Sequence, residues 1–450
     1  MKLGFTTLAA ALLCSAAAFA NPLMDRDWLA TANMAAIDAA VAEGNSITDQ
    51  DGSMNIPLSQ AIRAGAPVNV VSHMIDLGAD VNRLAHDARP AVFWASRYAG
   101  IPMIEMLIER GADMSITDSS NRNPLGYAAF GQKDPAVMAY LIELGFDISS
   151  ADDSGRTPTL AAAYYNTVPA IFDALVAAGG DPTAHTDDGK DVFLLAAWRN
   201  ESLEMVQNMM ALSDDPHATD DDGNGAMILA AQRGGIEKLE WLVAQGFSLD
   251  ESNDAGSSLL IEATYRNKAG PIAWLVAQGQ DVNAADDSGV TPLLQAMIRN
   301  KAEVATLLLE AGAQVDLASS RGETPLMIAA KRTRDGADDI IALLLAAGAN
   351  VNASTDSGTT ALISAAHAGK SSNVLQVFLD AGANVNARDS NGYSALMYAA
   401  LLAEDESTLR VLLDAGADTS FTDVFEDNAA TIIQDNAALA SSDIASRLSH

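Results

Sequence analysis

A chain of 450 residues that is 49% hydrophobic but only 5% aromatic builds its interior from alanine and leucine, closer to packed helices than to a β-sandwich. Aspartate and glutamate outnumber lysine and arginine 59 to 26, a formal net charge of −33. Such a surface repels phosphate backbones and anionic bilayers, so nucleic acid is a poor partner and a basic protein a better one.

The first twenty residues, "MKLGFTTLAAALLCSAAAFA", carry one lysine, an apolar stretch and the small-x-small site Ala18-Phe19-Ala20. They predict a signal peptide cleaved after Ala20 and a periplasmic or secreted protein beginning at Asn21. A lipid anchor on Cys14 is disfavoured by the bulky Leu13 before it. Cys14 is the only cysteine, so the mature chain can form no internal disulfide and must be stabilised by packing. No later apolar run reaches the ~18 residues of a membrane span, and no membrane insertion is expected.

Further along, one phrase recurs: an apolar run, a glycine, then polar residues. It reads "MIDLGADVN" at 74–82, "LLEAGAQVD" at 308–316, "LLAAGANVN" at 344–352, "FLDAGANVN" at 378–386 and "LLDAGADTS" at 412–420. Aligned on the glycine, positions 44, 78, 111, 145, 179, 213, 246, 279, 312, 348, 382 and 416 lie 33 to 36 residues apart, with Ser213 in the slot once. So tight a period means one supersecondary unit, copied and stacked. It predicts a single domain over 21–450: a half-unit at 27–44, about eleven repeats over 45–418 and a capping unit at 419–450.

Residues 286–316 show the unit. Asp287-Ser288-Gly289 is turn chemistry. Thr291-Pro292 opens an inner helix, threonine as N-cap and proline where its missing N–H is harmless. That helix stops near Asn300; a second apolar run from Val304 to Leu309 makes an outer helix closed by Gly312 in a left-handed C-cap. Paired alanines in the inner helices, such as 196–197, 230–231 and 399–400, allow close approach of neighbours.

Finger-like turn, Thr-Pro cap, Ala-Ala pair and Gly-Ala-Asp exit at this period resemble the ankyrin repeat family over roughly residues 28–448. The resemblance implies an all-α solenoid of stacked helix-turn-helix units with finger-like hairpin turns, its inner helices and fingers lining a concave face that binds proteins. Some positions depart from the family pattern. The usual histidine after Thr-Pro-Leu is replaced by Leu160, Leu294, Met327, Ile363 and Met397. The unit around "LSDDPHATDDDGNG" lacks its capping glycine, and "KRTRDGADD" should bulge between its two helices.

Nothing points to catalysis, a cofactor or a metal. The histidines at 73, 86, 185, 217, 367 and 450 fall in different repeats without ligand spacing; His367, at an inner-helix end, is the one to watch. Asp152-Asp153, Asp187-Asp188, Asp220-Asp221-Asp222 and Asp286-Asp287 each occupy the same turn, where solvation and turn formation account for them. "DDDGNG" at 220–225 begins like a calcium loop, but its twelfth position is Ala231 rather than glutamate.

The informative pattern is the pair of residues after each Ala-Ala slot. Read down the repeats it includes Arg97-Tyr98, Tyr164-Tyr165, Trp198-Arg199, Gln232-Arg233, Tyr265-Arg266, Ile298-Arg299 and Lys331-Arg332. Arginine, tyrosine and tryptophan are the residues enriched at binding hot spots. Tyr98, Tyr164, Tyr165, Trp198, Arg199, Arg233, Tyr265, Arg266, Arg299 and Arg332 are therefore the candidate partner-binding residues. A bland reading stands beside this one: cations suit helix C-termini, and arginines can neutralise acidic fingers. Trp241 and Trp274, 33 residues apart on outer helices, are a weaker candidate. The expected protein is a non-enzymatic, monomeric binding module that needs no cofactor, serving as an immunity or accessory protein for a secreted or envelope partner. An enzyme or small-ligand binder using an inter-finger pocket, and a passive scaffold, remain the alternatives.

Overall fold

The computed structural model describes residues 21–266, 269–299, 301–332 and 336–448. The expected leader with Cys14, the inserted residues 333–335 and His450 lie outside the described residues. Among the described residues the secondary structure is helical, with isolated β-bridges such as Ser252 with Ser258 at the bases of turns. Two compact units, one up to Asp187 and one from Asp188 onward, each consist of helix pairs in series, the all-α class the repeat predicts.

The unit at 286–316 forms as its residues dictate. The inner helix is Pro292–Arg299 and the outer helix Ala302–Glu310. Thr291 Oγ1 accepts the Leu294 N–H at 3.3 Å. At Gly312 φ is +94°, and the following N–H of Ala313 closes onto Leu308 O at 2.9 Å. A Cβ there would meet nothing within 4 Å, so glycine is required for its backbone angle and not for space.

Inner helices are covered more completely than outer ones. Ala226–Arg233 packs between Val192–Arg199 and Leu259–Arg266, and Ala226 to Ala231 are all buried. Ala196, Ala197, Ala230 and Ala231 are fully covered, which gives the alanine pairs their role. The outer helix Ile236–Ala244 buries only Lys238, Leu239 and Leu242. In the slots where the family has histidine, Leu160, Leu294, Met327, Ile363 and Met397 are buried, so apolar packing replaces a polar network.

Successive fingers are joined by backbone bonds. In the first unit Ser119 N donates to Asp87 O at 3.0 Å and Asp153 N to Ser120 O at 3.1 Å; in the second, Asp254 N donates to Asp222 O and Asp287 N to Ala255 O at 3.1 and 3.0 Å. The irregular repeat is where expected. Leu203–Leu212 runs ten residues, and Ser213 is extended at φ −74° and ψ 131° instead of left-handed. Its hydroxyl donates to Asp191 Oδ2 at 2.8 Å. In the longest repeat, Gly336 takes φ +82° just before Ala337–Ala346. At the start, 27–44 holds more than an outer helix: a one-turn helix, Arg26–Leu29, precedes Met34–Ala42 and packs on Pro57–Arg63. Asp25 caps that turn through the N–H groups of Asp27 and Trp28.

Candidate functional site

In the first unit the fingers supply charge and the inner helices supply rings. Asp118 and Arg122, four residues apart, close one finger. Asp118 Oδ1 accepts the N–H of Ser120 and of Arg122 at 3.0 Å each, and Oδ2 accepts Arg122 Nε at 3.0 Å and Arg89 Nε at 2.8 Å. The Asp118 carboxylate is fully buried and Arg89 almost so. Asp152 and Arg156 repeat the pattern at 3.1 Å. The guanidiniums then lie on ring faces: Arg89 4.2 Å from the Tyr127 centroid, Arg122 5.1 Å from Phe130 and Arg156 5.1 Å from Tyr164. Each such contact contributes roughly 0.5–2 kcal/mol according to its desolvation.

The column residues meet these rings from the helix side. Arg97 lies 5.0 Å from Tyr127 and 5.4 Å from Tyr98, and Arg63 sits 4.8 Å over Trp94. Tyr98 stacks on Trp94 at 6.3 Å, and Tyr165 packs against Tyr164 and Phe130 at 4.7 and 5.7 Å. Tyr98 and Tyr165 are 45% and 37% exposed, whereas Tyr164 is 5% exposed and serves packing.

In the second unit Lys190 replaces the finger arginine. It pairs with Asp188 at 2.6 Å and Asp220 at 2.7 Å and lies 5.3 Å over the half-buried Trp198. Burial acts to lower its pKa, but hydrogen bonds from the ammonium to both carboxylates outweigh that and hold it above the ordinary lysine range. Asp220 also accepts the N–H groups of Asp222 and Asn224, so the calcium-like stretch is a turn tied to a lysine. Among the described residues no group of three or more His, Cys, Asp or Glu could hold a metal ion.

Arg199 and Arg233, both half-buried, line one hollow of ≈ 340 Å³ with Glu201, Glu237 and Lys238. Lys238 Nζ is buried there and donates to the carbonyls of Ala196, Ala197 and Asn200 at 3.2, 2.8 and 2.8 Å, closing the end of an inner helix. One repeat on, Tyr265 is 37% exposed between two guanidiniums, Arg299 at 3.8 Å and Arg266 at 4.9 Å. Beside it a groove of ≈ 500 Å³ runs between fingers and inner helices, lined by Asp221, Asp222, Asp254, Glu262 and Tyr265. Arg332 is half-buried next to Lys331, which pairs with Glu323.

His367 stacks on Tyr398 at 4.6 Å, and Tyr398 Oη donates to Asp389 at 2.8 Å. Burial, with that carboxylate, pushes the phenol well above its usual range, so the cluster is a packed turn support. Trp241 and Trp274 are half-buried on the outer helices Ile236–Ala244 and Ala269–Ala277. Sequence reasoning missed Arg89, Arg122, Arg156, Trp94, Tyr127 and Glu262. The signals were an arginine four residues after a finger aspartate, and aromatic residues three before the column at Trp94 and Tyr127.

Serial helix pairs joined by fingers, found in each of the two units, define a tandem helical-repeat scaffold. The family model for ankyrin repeats (3 copies) matches residues 92–186, 193–286, 260–355 and 333–423, and the chain belongs to the ankyrin repeat family. Ankyrin repeats generally mediate protein–protein interaction and are typically non-enzymatic. No curated protein matches the chain.

Proposed function

We propose that the chain is an exported, non-catalytic, monomeric binding protein that holds a partner protein against its inner helices and fingers. The observation that carries this reading is the set of arginines that stack on rings without a counter-charge. Arg97 in the first unit and Arg266 and Arg299 in the second have no carboxylate within 4.0 Å among the described residues, although the finger cations Arg89, Arg122, Arg156 and Lys190 all do. Neutralising the fingers is therefore the work of other residues, and these three lie half-buried beside the exposed Tyr98 and Tyr265. Buried pairs in the fingers hold the face rigid, and rigid aromatic and arginine groups are efficient contacts because little freedom is lost on binding. The acidic surface steers a basic partner toward it. Export rests on the pattern of residues 1–20, and it fits an immunity or accessory role toward a secreted or envelope protein.

The test is capture from an envelope extract by the wild type and by two variants, Tyr98→Ala/Tyr165→Ala and Tyr265→Ala/Arg299→Ala. One partner whose recovery falls at least about tenfold with either variant is the expected result, as for loss of a hot spot. A broad set of proteins indifferent to both variants would make the chain a passive scaffold, and a co-purifying small molecule would move the function to an inter-finger pocket.

A further inference from the structure

The Arg266–Tyr265–Arg299 stack differs from the Arg–ring contacts of the fingers. There, each guanidinium has its edge taken by an aspartate. Here, among the described residues, neither Arg266 nor Arg299 has a carboxylate within 4.0 Å, and the Tyr265 ring that both guanidiniums contact is open to solvent at 37%. A guanidinium held face-on to a ring keeps its N–H edge free for in-plane bonds, and the group that fits that edge is a carboxylate or phosphate. The neighbouring groove decides between them. Asp221, Asp222, Asp254 and Glu262 line it, Tyr265 forms a wall shared with the stack, and none of the four acids pairs with a cation among the described residues. Glu262 accepts from two neutral amides, Gln232 at 3.0 Å and Asn253 at 3.5 Å. Carboxylates along the groove next to two guanidiniums over the Tyr265 ring repel a polyphosphate and favour a ligand carrying both signs close together.

We infer that the Arg266–Tyr265–Arg299 stack receives a carboxylate of the bound partner, from an Asp or Glu side chain close to a Lys or Arg that occupies the adjoining acidic groove. This rests on the binding role proposed above and specifies its chemistry in the second unit. Overall basicity of the partner would govern the encounter, while the acid beside the base would set the register in which the segment lies.

A displayed library of random 12-residue peptides, panned on the full chain, supplies the probe. The wild type is expected to enrich peptides with a base and an acid a few residues apart. For the best such peptide, replacing its acid by the amide should weaken binding at least about tenfold on the wild type and less than about twofold on Arg266→Gln/Arg299→Gln, the signature of a direct pair. Arg266→Lys/Arg299→Lys keeps the charge without the fork and should lie between, which separates a lost contact from a misfolded variant; helix content and Tm check the fold of each. If the wild type enriches peptides with bases alone, or if the amide weakens binding equally on wild type and double variant, the carboxylate site is wrong while groove binding stands. If every enriched peptide is indifferent to Glu262→Gln, Tyr265→Ala and the arginine variants, the second-unit site fails; if they are indifferent to Tyr98→Ala/Tyr165→Ala as well, the binding role fails with it.

Discussion

Asn82, Asn283, Asn352 and Asn386 each stand four residues after a helix-closing glycine, in the part of the recurring phrase that the sequence reading left unexplained. Each amide bridges to the next repeat: Asn352 donates to Gly382 O at 2.9 Å and accepts Asn384 N at 2.7 Å, and Asn386 does the same with Gly416 and Asp418 at 3.1 and 2.8 Å. The bond needs the following copy in place, so nothing local announces it. Asn352→Ala should lower stability by about 1 kcal/mol, typical of exposed neutral hydrogen bonds, in a urea titration; an unchanged midpoint would make the bridge incidental. Asp118 is a different case, because it is covered and satisfies two guanidiniums. Asp118→Ala leaves the buried Arg89 with Asp87 as its one remaining carboxylate among the described residues, frees the turn N–H groups of Ser120 and Arg122, and should destabilise by about 3 kcal/mol. Asp118→Ala combined with Arg89→Met should recover part of that loss, and a double variant as unstable as the single would show that the loss lies in the turn instead of the charge.

At the scale of the helix pair, caps were legible because they depend on residues within one turn. Thr291-Pro292 and Gly312 were placed from the residues alone, and the boundaries Pro292–Arg299 and Ala302–Glu310 follow. The candidate face was half legible. Spacing located the column but could not show that Tyr164 turns inward while Tyr98 and Tyr165 stay open, since that depends on which ring the neighbouring repeat presents. Arg89 escaped because its partner, Asp118, comes from the adjacent repeat, whereas Arg122 and Arg156 pair with the aspartate four residues before them in their own fingers, a local spacing that was there to be read. Ser213 tests how far the repeat pattern governs stability. Restoring the family-like glycine there is the obvious stabilising change, yet Ser213 is extended and bonded to Asp191, so Ser213→Gly removes a hydrogen bond and loosens the unfolded chain. It should lower stability by about 1 kcal/mol. A higher urea midpoint would mean that the glycine rebuilds the left-handed cap and shortens the helix.

Over the whole molecule, charge sets the response to solution conditions. A net charge of −33 at neutral pH opposes compaction by self-repulsion, which salt screens and acid removes. Two groups of carboxylates then act in opposite directions. Burial raises Glu251, so the folded state binds its proton more readily than the unfolded chain; the burden of its charge is present at neutral pH and is relieved as pH falls toward its raised value. Asp113, Asp147, Asp181 and Asp418 are lowered, chiefly by the hydroxyls of Ser115, Ser149, Thr183 and Ser420 and then by the backbone N–H of the same residues. Their stabilisation is complete above the ordinary aspartate value of 3.8 and is lost as pH drops below it through their folded values. Tm should therefore rise from pH 7 to about pH 5 and fall steeply below about pH 4, with 0.5 M sodium chloride raising it more at pH 7 than at pH 5. Glu251→Gln should raise Tm at pH 7 and flatten that first rise. Calorimetry across this range decides the matter: a Tm that declines steadily from pH 7, or that salt lowers at neutral pH, would mean that attraction between finger pairs such as Lys190 with Asp220 outweighs the repulsion of the acidic surface.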